Sequence, residues 1–270
     1  MMRTVPAPRS HHVAIEKTAL ALLLCAAAAS VQAQATRMLM PEGTYDLVLG
    51  VALGTTFKSR AEGGAHAVVT PALSVQWSNG AFIEAGIEDA TAGIHLSDNP
   101  YLDYGVVASA TGRDRRSDTP GTRGRVVLQA GGFITWQPLH NMAFSGELLA
   151  GGGFDGNGML AHAQWLYSIR LVAHHGLNFS AGLVAADQRW MQGYFGVTQA
   201  QSAAGGNPAY RAAAGLVSAY GDMSWKWQVA NKYWLNTGAR VSRLTGPAAA
   251  SPLVRASLRP SVRVALTYHF

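Results

Sequence analysis

Nine histidines are scattered through a 270-residue chain in which only 13% of residues are charged, and they are the first places to look for chemistry. His174 and His175 stand together in a turn-like "HHG". A metal site needs three or four converging ligands, so this pair alone reads as a solvated turn. His162, Ser168 and Asp222 are the residue types of a base, a nucleophile and an orienting carboxylate. No spacing motif ties them together, and a triad is defined by geometry rather than by sequence position. No catalytic residue, metal ligand or cofactor is therefore assigned. What remains is charge. Arg170, Lys226, Arg240 and Arg263, with Asp222, Glu84 and Glu147, fall on the polar faces of segments that otherwise alternate with apolar residues. Burying such groups is costly unless they are paired or wet. They predict either a charge network filling a narrow interior or a polar path through it.

The elements that position these charges have a period of two. In "VRVALTYHF", Val262, Val264, Leu266, Tyr268 and Phe270 alternate with Arg263, Ala265, Thr267 and His269. "LVSAYGDMSWKWQV" (216–229) places Val217, Ala219, Met223, Trp225, Trp227 and Val229 opposite Ser218, Tyr220, Asp222, Ser224, Lys226 and Gln228. "AHAQWLYSIRLVA" sets Trp165, Tyr167, Ile169 and Leu171 against His162, Gln164, Ser168 and Arg170. "VVTPALSVQW" sets Val69, Leu73, Val75 and Trp77 against Thr70, Ser74 and Gln76, and "YWLNTGARVSRL" sets Tyr233, Leu235 and Val241 against Asn236, Arg240 and Ser242. Strict alternation is the mark of a strand with two unlike faces. Tryptophans on the apolar faces (Trp77, Trp165, Trp225, Trp227), joined by Tyr268, predict lipid contact at an aromatic girdle. A soluble sandwich also alternates, but it gives no reason for those tryptophans or for so low a charge content.

Composition agrees. Soluble proteins carry about a quarter charged residues, whereas a mean hydropathy of +0.08 is far too polar for a bundle of membrane helices. At the N-terminus, Arg3, Arg9 and Lys17 precede "ALALLLCAAAA" and then "SVQAQA", which reads as a signal peptide over residues 1–33 cut after Ala33. Cys25, the single cysteine, lies inside the apolar run, so the mature chain has no disulfide. Without the leader 18 basic residues face 14 acidic ones, and no run of lysine or arginine suggests nucleic acid.

Turn signals at 78–80, 137–141, 174–176 and 230–232 are short, while "KSRAEGGA", "RDRRSDTPGTRG", "FDGNG", residues 191–211 and "TGPAAASPLVRAS" are mostly longer. Outer-membrane barrels have short periplasmic turns, long outer loops and even strand numbers. The expectation is an all-β closed antiparallel transmembrane barrel over 45–270, preceded by a periplasmic segment at 34–44. It has about twelve strands, or ten if the two short segments within 81–96 are a single bent strand. The final strand closes on the first, near "YDLVLGVALGTTF", and its apolar residues ending in Phe270 form the signal for the outer-membrane assembly machinery. Arg113, Arg115, Arg116, Arg123 and Arg125 would meet lipopolysaccharide phosphates if their loop lies outside. Segment 191–211 would either pack at the barrel mouth or hang free.

"MQGYFGVTQAQSAAGGNPAYRAAAGL" (191–216) and "SRLTGPAAASPLV" (242–254) resemble the MipA/OmpV family of outer-membrane proteins, and "PALSVQWSNGAFIEA" fits more loosely. Where the family often has Tyr-x-Gly-Ser-Asp in the first outer loop, this chain has "TTFKSRAEGG". The resemblance implies a non-enzymatic scaffold in the outer membrane that docks peptidoglycan-remodelling enzymes, a lytic transglycosylase (a murein hydrolase) and a peptidoglycan synthase. The alternative is a narrow diffusion channel with a partly basic lumen.

Overall fold

The computed structural model describes residues 40–59, 63–87, 89–114, 125–151, 158–205 and 207–270. The expected leader and the centre of the arginine-rich connection (115–124) lie outside the described residues.

Twelve antiparallel strands close into a barrel in sequence order. The first six are β1 (Tyr45–Ser59), β2 (Gly63–Trp77), β3 (Ala81–Ala85), β4 (Asp89–His95), β5 (Leu102–Asp114) and β6 (Arg125–Leu139). Then come β7 (Met142–Ala150), β8 (Met159–Val172), β9 (His175–Ala186), β10 (Gly215–Ala230), β11 (Tyr233–Leu244) and β12 (Leu258–His269). The two short segments after Gly80 are separate strands, so the count is twelve. Closure is made by β12 on β1, with Leu53 opposite Val264, Val51 opposite Leu266 and Leu49 opposite Tyr268. That seam is required because hydrocarbon offers no partner to an open edge.

The alternation read from the sequence sets the two faces. Leu49, Val51, Leu53, Val69, Trp165, Met223, Val241, Leu266 and Phe270 are exposed on the outside, whereas Gln76, Asp222, Ser224, Arg259, Ser261 and Thr267 are buried within. Aromatic residues cluster on the outer wall near the short-turn end. His175, Trp225 and Trp227 stack with centroids 5.6–5.7 Å apart, Trp165 stacks on Tyr167 at 6.1 Å, and Tyr268 meets Tyr233 and Phe270 edge-on at 4.9 and 4.8 Å. On the inner wall, Gly105 faces Phe133 and Gly182 faces Tyr220 across neighbouring strands. The Tyr220 ring lies so close that a Cβ on Gly182 would stand 2.5 Å from it.

Three points differ from the sequence expectation. β1 and β2 extend to Ser59 and Gly63, so much of "KSRAEGGA" is strand rather than a long loop. Val217 points inward and is buried, because the β9–β10 register slips between Leu216 and Ser218 and that bulge turns it away from lipid. β3 pairs with β2 only from Leu73 to Gln76. Beyond that point the β3–β4 tip turns into the barrel, where Ile87 closes on the inner side of Gly54.

Candidate functional site

At the end opposite the short turns, the connections 187–214 and 245–257 fold into the barrel. Asp187 caps helix α1 (Gln188–Phe195), its Oδ1 accepting from the Trp190 amide at 2.8 Å. Trp190, Met191, Tyr194 and Phe195 recur at helical spacing and are all buried. A second helix, α2 (Gln199–Gly205), follows, and Val197 then pairs with Tyr210. Gln192 accepts from the Ala212 amide at 2.9 Å. The 245–257 connection, carrying α3 (Gly246–Ala249), is tied on by two bonds. Tyr210 Oη donates to the Pro247 carbonyl at 2.8 Å, and Ser251 Oγ donates to the Phe195 carbonyl at 2.6 Å. Inward side chains from six strands (Val107, Leu149, Leu160, Ala186, Val217 and Leu244) pack around this core. The outer half of the lumen is thus filled by an apolar plug rather than by the charge network the sequence suggested.

Below the plug lies a cavity of about 1380 Å³, lined by residues of the short-turn half and sharing no residue with the apolar core. Its lining carries charges of both signs, and β1 and β12 adjoin at the seam. Asp46, Glu84 and Asp89 come from β1, β3 and β4, whereas Arg170, Lys226, Arg240 and Arg263 come from β8, β10, β11 and β12. Asp222 stands behind two of the arginines: its Oδ2 accepts from Arg240 Nε at 3.2 Å and from Arg263 Nη2 at 2.5 Å. The Asp222 side chain is 2% exposed, so one buried carboxylate holds two guanidinium groups at the cavity wall. Arg240 also lies over the Tyr220 ring, 4.5 Å from its centroid. Lys226 sits 4.6 Å from the centroid of Trp234, whose ring also meets His269 at 5.8 Å. Amides and hydroxyls complete the wall, among them Ser74, Gln76, Asn178, Ser224, Gln228 and Asn236.

Glu147 is not part of that wall; it faces His162 across β7 and β8, with His162 Nδ1 3.7 Å from its Oε2. Ser168 lies six residues further along β8 than His162, about 20 Å away at strand rise, while Asp222 is engaged by the two arginines. The candidate triad is therefore not assembled. His174 lies in an exposed turn as expected, whereas His175 begins β9. His174 Nδ1 is 3.0 Å from Gln228 Oε1, and His175 lies in the outer aromatic stack. Trp234 is the residue that sequence reasoning left unplaced, although its parity with Asn236 and Arg240 already set it on the inner face. A second polar knot, His95 Nδ1 to Asp103 Oδ2 at 2.7 Å, lies against Phe82 and Phe133. None of those four was among the candidates.

A closed twelve-stranded antiparallel barrel with an apolar outer wall and a polar, charged lumen is an outer-membrane β-barrel. The family "MltA-interacting protein MipA" matches over residues 47–270, and the chain belongs to that family. No curated protein matches. Among solved structures, the chain is similar to the NanC porin at 9% identity and a TM-score of 0.48, covering 82% of this chain and 98% of that one. It is similar to an outer-membrane channel from Pseudomonas putida F1 at 8% identity and a TM-score of 0.45, covering 86% and 97%. The translocator domain of the autotransporter NalP from Neisseria meningitidis is similar at 11% identity and a TM-score of 0.44, covering 89% and 94%. These likenesses concern the fold alone.

Proposed function

We propose that this barrel is a docking platform at the periplasmic face of the outer membrane for peptidoglycan-remodelling enzymes, a murein hydrolase and a peptidoglycan synthase. One observation carries the reading: the polar cavity belongs to the short-turn half, which faces the periplasm in outer-membrane barrels. The opposite half is occupied by an apolar core. The family's own description, MltA-interacting protein, supplies the kind of partner. The turns at 137–141 and 230–232 are too short to make, by themselves, an interface of about 1,200 Å². The cavity rim, with Arg170, His174 and Gln228, adds surface that a protruding partner segment could reach. On this reading the chain performs no catalysis, and its remaining contacts are with membrane lipid, lipopolysaccharide and the assembly machinery.

The test is cross-linking of the mature barrel in native envelopes, followed by affinity capture and mass spectrometry. Recovery of a lytic transglycosylase or a peptidoglycan synthase, lost when 137–141 and 230–232 are replaced, supports docking. Recovery of assembly factors and lipid alone overturns it. The narrow diffusion channel draws on the charged lining of the lower lumen, and it requires 187–214 and 245–257 to leave the mouth. Steady single-channel conductance by the unaltered protein would favour it.

A further inference from the structure

The outer wall of the barrel carries a residue out of keeping with its surroundings. On β11, Val241 and Arg243 stand on the same face, and both are exposed. Val241 lies opposite Pro260 and Arg243 opposite Leu258 on β12. Leu258 is exposed on the outside, so its cross-strand partner Arg243 is directed toward lipid as well. On its other side Arg243 faces Ala219 of β10, which in turn faces Leu183 of β9, again exposed. Arg243 thus rises from an apolar row, Leu183, Ala219 and Leu258, one step beyond Val241. Among the described lipid-facing side chains of the twelve strands, no other is a lysine, an arginine or a carboxylate.

The height at which it stands explains how such a group is tolerated. β11 ends at Leu244, and the connection beyond it lies at the end opposite the short turns, the outer side in barrels of this class. An arginine facing lipid is costly at the bilayer midplane and nearly free of cost at the interface. There its apolar stem covers the wall while the guanidinium reaches the headgroups. Among the described residues no carboxylate pairs with Arg243. A second arginine stands near it. Arg255 is exposed and precedes Leu258 by three positions, in a segment held where the Leu244 amide donates to the Ser257 carbonyl at 2.9 Å. With about 5 Å across the ladder and about 3.6 Å per residue along the chain, the two arginine Cα atoms are at most about 16 Å apart. Both guanidinium groups can therefore serve one headgroup, and guanidinium pairs bidentately with phosphate.

We infer that the outer rim of β11 and β12 binds a phosphorylated glycolipid of the outer leaflet, a lipopolysaccharide, with its lipid A phosphates at Arg243 and Arg255 and an acyl chain along Val241 and Leu258. The site uses neither the arginines of 113–125 nor the periplasmic surface. Docking can fail while this site stands, and the reverse.

The probe is diphosphoryl lipid A, added to the mature barrel folded in detergent micelles, with binding read by native mass spectrometry. Dephosphorylated lipid A, phosphatidylglycerol and inorganic phosphate are the comparators. Diphosphoryl lipid A is expected to remain bound to the barrel. Removing its phosphates should weaken retention roughly tenfold or more, the scale of one hydrogen bond to a charged group. Arg243→Gln with Arg255→Gln should bring the phosphorylated form down to the level of the dephosphorylated one. Arg243→Lys should lose part of the affinity, because an ammonium cannot make the bidentate pair. Equal retention of the two lipid A forms overturns the inference. Phosphatidylglycerol bound as tightly, or full displacement by roughly 10 mM inorganic phosphate, would make this a general phosphate site and overturn it too. So would a double variant that holds lipid A as the parent does. The comparison among lipids requires no variant, and both arginines are exposed, so their replacement leaves the packed lumen intact.

Discussion

Asp222 offers the sharpest test of how the lumen is held together. Asp222→Asn removes one negative charge and leaves Arg240 and Arg263 facing each other at bonding distance from a neutral amide. Removing one partner of a buried ion pair costs about 3–5 kcal/mol. Here the arginine side chains are 21% and 12% exposed along the cavity, so water relieves part of the loss. The expected cost is then about 2–3 kcal/mol, a thirtyfold or greater shift in the folding equilibrium. The assay is reversible urea unfolding in lipid vesicles, followed by the heat-dependent migration of the folded barrel on gels. A triple variant, Asp222→Asn with Arg240→Gln and Arg263→Gln, should recover more than half of the loss, because the uncompensated charges go with the carboxylate. If Asp222→Asn stays within about 0.5 kcal/mol of the parent, as a neutral surface change would, the three-residue network is not what orders this wall. A triple variant no better than the single one would equally refute the argument.

Three further outcomes are expected. Trp190→Ala, which empties the centre of the plug at a cost of about 3–5 kcal/mol, should raise conductance across planar bilayers above that of the parent; unchanged conductance would show that the plug does not limit flow. Single-tryptophan versions retaining Trp225 or Trp227 should be quenched by lipids brominated near the headgroup, whereas those retaining Trp190 or Trp234 should not; quenching of Trp234 would contradict its inward placement. Gly182→Ala forces a methyl group into the Tyr220 ring and should destabilise the barrel by about 1–3 kcal/mol, and Tyr220→Ala in the same chain should relieve that strain, a coupling read from a double-mutant cycle.

Strand faces were legible because parity survives wherever pairing is regular. "VRVALTYHF" specifies the lipid face of β12 residue by residue, and "SWKWQV" places Trp225 and Trp227 outside and Lys226 inside. The same rule failed at Val217, since a bulge shifts parity without leaving a signature in residue type. The plug was legible in part. "DQRWMQGYFG" carries an N-cap at Asp187 and apolar residues at 190, 191, 194 and 195, a helix start with one apolar face. Read only as a connection between strands, that face had no wall to pack on, and nothing local shows that the barrel interior would be its partner. The pairing of Arg240 and Arg263 with Asp222 depends on the stagger of β10, β11 and β12, which alternation alone does not supply.

The brevity of β3 has a consequence for the surrounding bilayer. Five residues at about 3.4 Å rise span about 17 Å along the strand, and a tilt of about 40° lowers that to about 13 Å of height, roughly half the apolar band of an outer-membrane barrel. Beside it, β2 continues from Ala72 to Gly63, beyond its ladder with β3 at Leu73 to Gln76. Where the short β3 forms the wall, the apolar band is lowest, and the bilayer beside it is expected to thin to match that height, making one side of a nominally symmetric cylinder unlike the rest.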